Sequence, residues 1–133
     1  MTFTILKDAD DRYRVVDEGE SCNIITTLKD LADPAATITN VLTITLTLYD
    51  KETRSIINSR NAQDINNANN STFSSGVLTI ELDASDNAIS DTGRVPEGGL
   101  ETHVAKVTYT WSDGDTTRTG IENFVFQVRR SLV

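Results

Sequence analysis

The feature that most constrains this chain is a strict two-residue alternation across residues 41–49. Leu42, Ile44, Leu46 and Leu48 fall on one side, with Thr43, Thr45, Thr47 and Tyr49 on the other. That is the period of a β-strand with one buried face, and β-branched threonine suits a pleated surface better than a helix. Residues 76–82 repeat the pattern, with Leu78, Ile80 and Leu82 inward and Val77, Thr79 and Glu81 outward. Residues 102–111 put Ala105, Val107, Tyr109 and Trp111 on one face. Ser112-Asp113-Gly114-Asp115 then reads as a hairpin turn, and the return strand, about 117–130, sends Phe124, Phe126 and Val128 to one side.

Less regular segments at 3–6, 13–16, 22–27 and 54–58 bring the expected total to seven or eight strands. Three connections read as irregular or briefly helical. Residues 28–33 stop at Pro34, 61–65 open on Asn61 as a helix cap, and 85–89 lead into the 93–99 loop with Pro96. The sequence thus predicts an all-β fold, an immunoglobulin-like β-sandwich of about seven or eight antiparallel strands with short helical turns in its loops. A small barrel is the alternative closure, and no Cys…Trp…Cys framework of the antibody kind is present. A length of 133 residues fits one domain, 1–133, with 1–35 as either an N-terminal arm or edge strands.

Charge and cysteine content narrow the partners. Asp and Glu number 20 against 12 Lys and Arg, a formal net charge of −8. Phosphate contacts need cations, so neither nucleic acid nor an anionic membrane is expected as a partner. No apolar run approaches the roughly 18 residues of a spanning helix. The N-terminal residues lack the basic and apolar regions of a secretory signal, which predicts synthesis for the cytoplasm. Cys22 is the single cysteine and reads as a small buried hydrophobe.

No residue set asks for catalysis. His103 is the only histidine, with no Gly-x-Ser-x-Gly or zinc motif beside it, so an ordinary hydrogen-bonded strand residue is expected. Asp8, Asp10 and Asp11, and Asp83, Asp86 and Asp91, were they to converge, would supply oxygen ligands for calcium. Neither group has the EF-hand spacing, and solvated loops and caps account for them, so no metal or cofactor is expected. The Thr43, Thr45, Thr47 row would make a flat binding ladder only with matched rows on neighbouring strands. Asn66, Asn67, Asn69 and Asn70 read as turn residues that tolerate left-handed backbone.

Residues 57–64 (Ile-Asn-Ser-Arg-Asn-Ala-Gln-Asp) through Asn69, then Gly76-Val77-Leu78-Thr79, resemble a recurring pattern in small tailed-bacteriophage proteins. So do Ala84-Ser85-Asp86-Asn87-Ala88-Ile89, Glu101-Thr102-His103-Val104-Ala105 and Tyr109-Thr110-Trp111. The resemblance spans roughly residues 40–130. It implies an immunoglobulin-like, non-enzymatic virion component, a capsid decoration or head–tail neck subunit, present in many copies on a symmetric assembly. Its partners would be capsid or neck and portal-associated proteins. The family offers no active site to carry over. The surfaces expected to make these contacts are the loops 61–72 and 91–99, through Asn61, Gln63, Asp64, Asn67, Asn70, Asp91, Arg94 and Glu97, with Trp111 as an aromatic anchor. A carbohydrate-binding or host-adhesion module is the alternative, with Trp111, Tyr109 and Tyr49 as its only candidate sugar platform.

Overall fold

A computed structural model describes residues 4–5, 14–30 and 36–132. Among the described residues eleven strands run in chain order: β1 (Thr4–Ile5), β2 (Arg14–Asp17), β3 (Cys22–Thr27), β4 (Lys29–Asp30), β5 (Ala36–Thr37), β6 (Thr43–Asp50), β7 (Gln63–Asp64), β8 (Ser71–Ser74), β9 (Val77–Leu82), β10 (Leu100–Ser112) and β11 (Thr117–Arg129). One sheet has the order β1-β3-β9-β8, a second β2-β11-β10-β6-β7, and β4 pairs with β5 alone. The two large sheets share one apolar core, as in a β-sandwich.

Alternation builds that core. Ile44, Leu46 and Leu48 of β6, Ala105 and Val107 of β10, and Phe124, Phe126 and Val128 of β11 are all fully buried. Cys22, Ile24, Leu78, Ile80 and Leu82 are buried with them from the opposite sheet. Each large side chain removed from water contributes roughly 1.5–3 kcal/mol. The hairpin expected at 112–115 forms, with Ser112 opposite Thr117 and Gly114 at φ 104°. Asp113 organises its tip, accepting hydrogen bonds from the Asp115 and Thr116 N–H groups and from Arg118 Nε.

Several expectations need correction. The sheets are mixed, because β1 runs parallel to β3 and β2 parallel to β11. Both are edge pieces joined to their neighbours through long intervening chain, so no tight hairpin forces them antiparallel. No helix forms among the described residues. The 61–65 segment becomes β7, drawn onto the free edge of β6, with Thr45 opposite Asp64 and the Ile65 N–H donating to Ile44 O. The 28–33 segment yields β4, while Pro34 lies outside the described residues. In 85–89 the Asp86 and Asn87 N–H groups both bond Asp83 O, but the turn goes no further.

Residues 54–58 form no strand. Arg54 and Asn58 take left-handed backbone, φ 67° and 53°, leaving a single bridge between Ile56 and Tyr49. Leu42, expected inward, is 56% exposed and lies just before β6 starts at Thr43. Phe3, Leu6 and Tyr13, expected in strands, lie outside the described residues, as do Asp8, Asp10 and Asp11.

Candidate functional site

The polar chemistry gathers at the end of the sandwich opposite the 112–117 hairpin, where the 83–99 connection ties down four other segments. Strand parity starts it. Asp50 continues the inward series of Ile44, Leu46 and Leu48, and Glu101 and His103 share the inward face of Ala105 and Val107, so all three are buried. Glu101 Oε1 accepts from the Ser90 N–H at 2.8 Å and lies 2.6 Å from His103 Nε2. Its Oε2 accepts from the Asp91 N–H at 3.2 Å and from Arg94 Nη2 at 3.4 Å. Asp50 accepts from the Glu52 N–H, the Ser90 hydroxyl and Arg94 Nη2. Arg94 also reaches Glu52 at 2.6 Å.

Those contacts set protonation. Burial acts to raise the Asp50 carboxyl, but the Glu52 N–H, the Ser90 hydroxyl and the Arg94 guanidinium outweigh it and hold it below its usual range. Burial pushes His103 below its usual 6.5, against the opposing pull of Glu101 and Asp50. With Nε2 facing a carboxylate oxygen, the neutral ring carries its proton there and leaves Nδ1 bare. Nδ1 is buried with no partner, so a second proton there would find no acceptor.

A second fastening lies alongside. Arg60, 3% exposed, grips Asp86 with two parallel bonds, Nε to Oδ1 at 2.7 Å and Nη2 to Oδ2 at 3.0 Å. Asn58 Nδ2 and the Asp83 N–H complete the carboxylate's shell. Arg60 Nη1 donates onward to Gln63 Oε1 and to Asn69 O. Asn87 Nδ2 donates to Glu20 O at 2.6 Å. Burial pushes the Cys22 thiol, 3.5 Å from Asn87 Nδ2, up to about 11. Arg130 Nη1 donates to Thr92 O and Val95 O, adding the last strand to the same clasp.

The residues expected to make outward contacts divide accordingly. Asn61, Asp64, Asn67, Asn70, Asp91 and Glu97 are exposed. Arg94 and Gln63 spend their side chains on Asp50, Glu101 and Arg60 instead. Asp64 and Asn67 also brace their own loop, accepting from the Asn66 and Phe73 N–H groups. Asn67, Asn69 and Asn70 take φ between 52° and 63°, the left-handed backbone expected of them.

Trp111 is not part of this surface. It lies near the other end of β10 at 8% exposure, stacked on Tyr109 with ring centroids 5.5 Å apart. There it borders a groove of about 710 Å³ that is also lined by Thr26, Lys29, Arg118 and Glu122. Tyr109 is 3% exposed, packs over Gly120 and donates its hydroxyl to Lys29 O. Neither ring is an open platform, and Tyr49 lies beneath Arg54, 5.5 Å from its guanidinium carbon.

Matched threonine rows do occur on the outer face of the five-stranded sheet. Register sets Thr43, Thr110 and Thr119 side by side, then Thr45, Thr108 and Ile121. Thr43 Oγ1 and Thr110 Oγ1 are 2.6 Å apart. The next row holds Thr47, Lys106 and Asn123, so the ladder stops after two rows.

Arg60, Asp86, Asn87, Asp50 and Glu101 carry most of the buried polar chemistry, yet pattern reading did not single them out as partners. Parity was the available signal for Asp50 and Glu101, since each continues an apolar face. Among the described residues, no group of three or more His, Cys, Asp or Glu side chains is placed to hold a metal ion. Comparison of the chain with known protein families, with curated proteins and with solved structures finds no match.

Proposed function

We propose that this chain is a non-enzymatic structural subunit of a tailed-phage virion. It is made in the host cytoplasm and held on the particle by contacts with capsid, neck or portal-associated proteins. One observation carries the reading: the phage-like segments 57–69, 84–89 and 101–105 supply the side chains that lock the loops from inside. Arg60 with Asp86, and Glu101 with His103, are buried and bonded in pairs. An assembly subunit needs loops of fixed shape presented in many copies, where modest individual contacts gain avidity. A catalytic site would need such groups free to meet a substrate.

The finer fold assignment supports the same reading. The orders β1-β3-β9-β8 and β11-β10-β6-β7 correspond to the A-B-E-D and G-F-C-C′ sheets of a variable-type immunoglobulin domain. β2 then acts as a strand that crosses to the second sheet. The parallel β1–β3 pairing departs from that pattern.

Asn61 and Glu97 are exposed and have no side-chain hydrogen bond in the clasp, so they test the surface without disturbing the interior. Charge changes at both, Asn61→Lys with Glu97→Lys, should lower incorporation into particles by about tenfold or more, with circular dichroism and melting unchanged. Particles carrying the doubly changed chain at full occupancy would overturn the loop assignment.

A further inference from the structure

We propose that residues 90–94 form a latch on the clasp end of the sandwich, which acid lifts through His103 while both large sheets stay folded. The latch is a property of the isolated chain and does not rest on the virion reading.

Local structure makes these residues a separate unit. Residues 90–94 belong to no strand and none of them is buried, whereas Ile89 and Val95 on either side are. Two apolar pegs hold the ends, and the span between them rests on polar contacts. Among the described residues, Arg130 Nη1 donates to Thr92 O. Every other hydrogen bond from 90–94 to the chain outside the 83–99 connection ends on the carboxylate of Asp50, Glu52 or Glu101. Lifting the span withdraws no buried side chain of its own, so it costs far less than opening a sheet.

One oxygen atom couples the latch to acid. Glu101 Oε1 accepts the Ser90 N–H at 2.8 Å and faces His103 Nε2 at 2.6 Å, so latch and ring hang on the same atom. The charged groups facing the ring are Glu101, two positions along β10, and Asp50, its cross-strand neighbour on β6. Arg94 of the latch is bonded to both acids. From β11 the ring meets Phe126 edge-on.

In the closed form burial disfavours the charged ring, against the pull of the two acids, and Nδ1 has no partner. An imidazolium needs an acceptor or water at that nitrogen. With Ser90, Asp91 and Arg94 lifted, both carboxylates and the ring beside them open to water, and the second N–H is solvated. The open form therefore binds the proton more tightly than the closed one, and acid populates it. The open ring titrates near the ordinary 6.5 and the closed ring below it, so the latch is favoured above pH 6.5 and lost as pH falls beneath. Asp50, held below its usual 3.8, stays ionised through that window.

Native-state hydrogen exchange of the purified chain tests this, each rate being divided by the intrinsic rate at its pH. The Ser90 and Asp91 amides should exchange through an opening that low urea leaves almost unchanged, because urea acts in proportion to the surface exposed. The population of that opening should rise about threefold or more from about pH 7 to about pH 5. Amides at the centre of β10 and β11 should exchange through steeply urea-dependent unfolding instead. His103→Gln offers Glu101 an N–H but does not titrate, so its Ser90 and Asp91 openings should be constant over the same range. The wild-type measurement decides without the variant. Ser90 and Asp91 amides that share the urea slope of the core amides overturn the proposal. So does a local opening indifferent to pH, or an equal rise in His103→Gln.

Discussion

Arg60 and Asp86 are both almost fully withdrawn from water, and each satisfies the other with paired bonds. Removing one partner strands a charge that the interior cannot solvate, which typically costs about 3–5 kcal/mol. Asp86→Ala should therefore lower unfolding free energy by about that amount in urea titrations, and a loss under about 1 kcal/mol would show the guanidinium had found water. Asp86 was visible in the sequence only as one loop aspartate among several. Its partner is 26 residues away, and spacing carries no sign of that meeting. His103 was legible as a hydrogen-bonded strand residue. Its bare Nδ1 was not, because that depends on what surrounds the ring in three dimensions.

At the scale of elements, the long alternating strands could be read directly, since each inward position of β9 and of the β10–β11 hairpin named beforehand is buried. Short strands could not. β8, Ser-Thr-Phe-Ser, has no apolar alternation and exists because β9 pairs with it through a two-residue turn. Ser75 at φ 51° and Gly76 at φ 84° give that turn the two positive angles that match strand twist. A Cβ on Gly76 would also collide with Thr37 Cγ2, from the small β4–β5 hairpin above it. Gly76→Ala combines left-handed strain with overpacking and should destabilise by about 2–4 kcal/mol, measurable as a shift of the urea midpoint. Gly19→Ala tests the same positive φ where no atom lies nearby, and should cost only about 1–2 kcal/mol. Equal losses at both sites would remove steric contact from the explanation. β7 was missed for a related reason: an Asn at 61 looks like a helix cap until an open strand edge competes for the same backbone.

For the whole molecule, acid stability falls in two separate windows. Folded His103 titrates below the 6.5 of the free side chain, so under pH 6.5 the unfolded chain takes up a proton that the folded chain refuses. Stability is thus intact above pH 6.5 and declines as acid is added, until the folded ring also protonates. Asp50 works lower down. Its carboxyl is held below 3.8, and its contribution disappears only as pH falls through that region. Urea midpoints taken from about pH 7 to about pH 5 should decline for the wild type and flatten for His103→Gln. Parallel slopes would assign the decline to other groups.

The pairing of β2 with β11 joins Asp17 to Arg129, 112 residues apart along the chain. A ribosome therefore releases β2 long before β11. The second sheet cannot assemble stepwise as the polypeptide emerges; its early edge must wait, exposed, for the β10–β11 hairpin to arrive and be inserted beside it. Cells making this chain quickly would then face a brief population of half-closed molecules with one bare sheet margin, the species a holding chaperone would meet first.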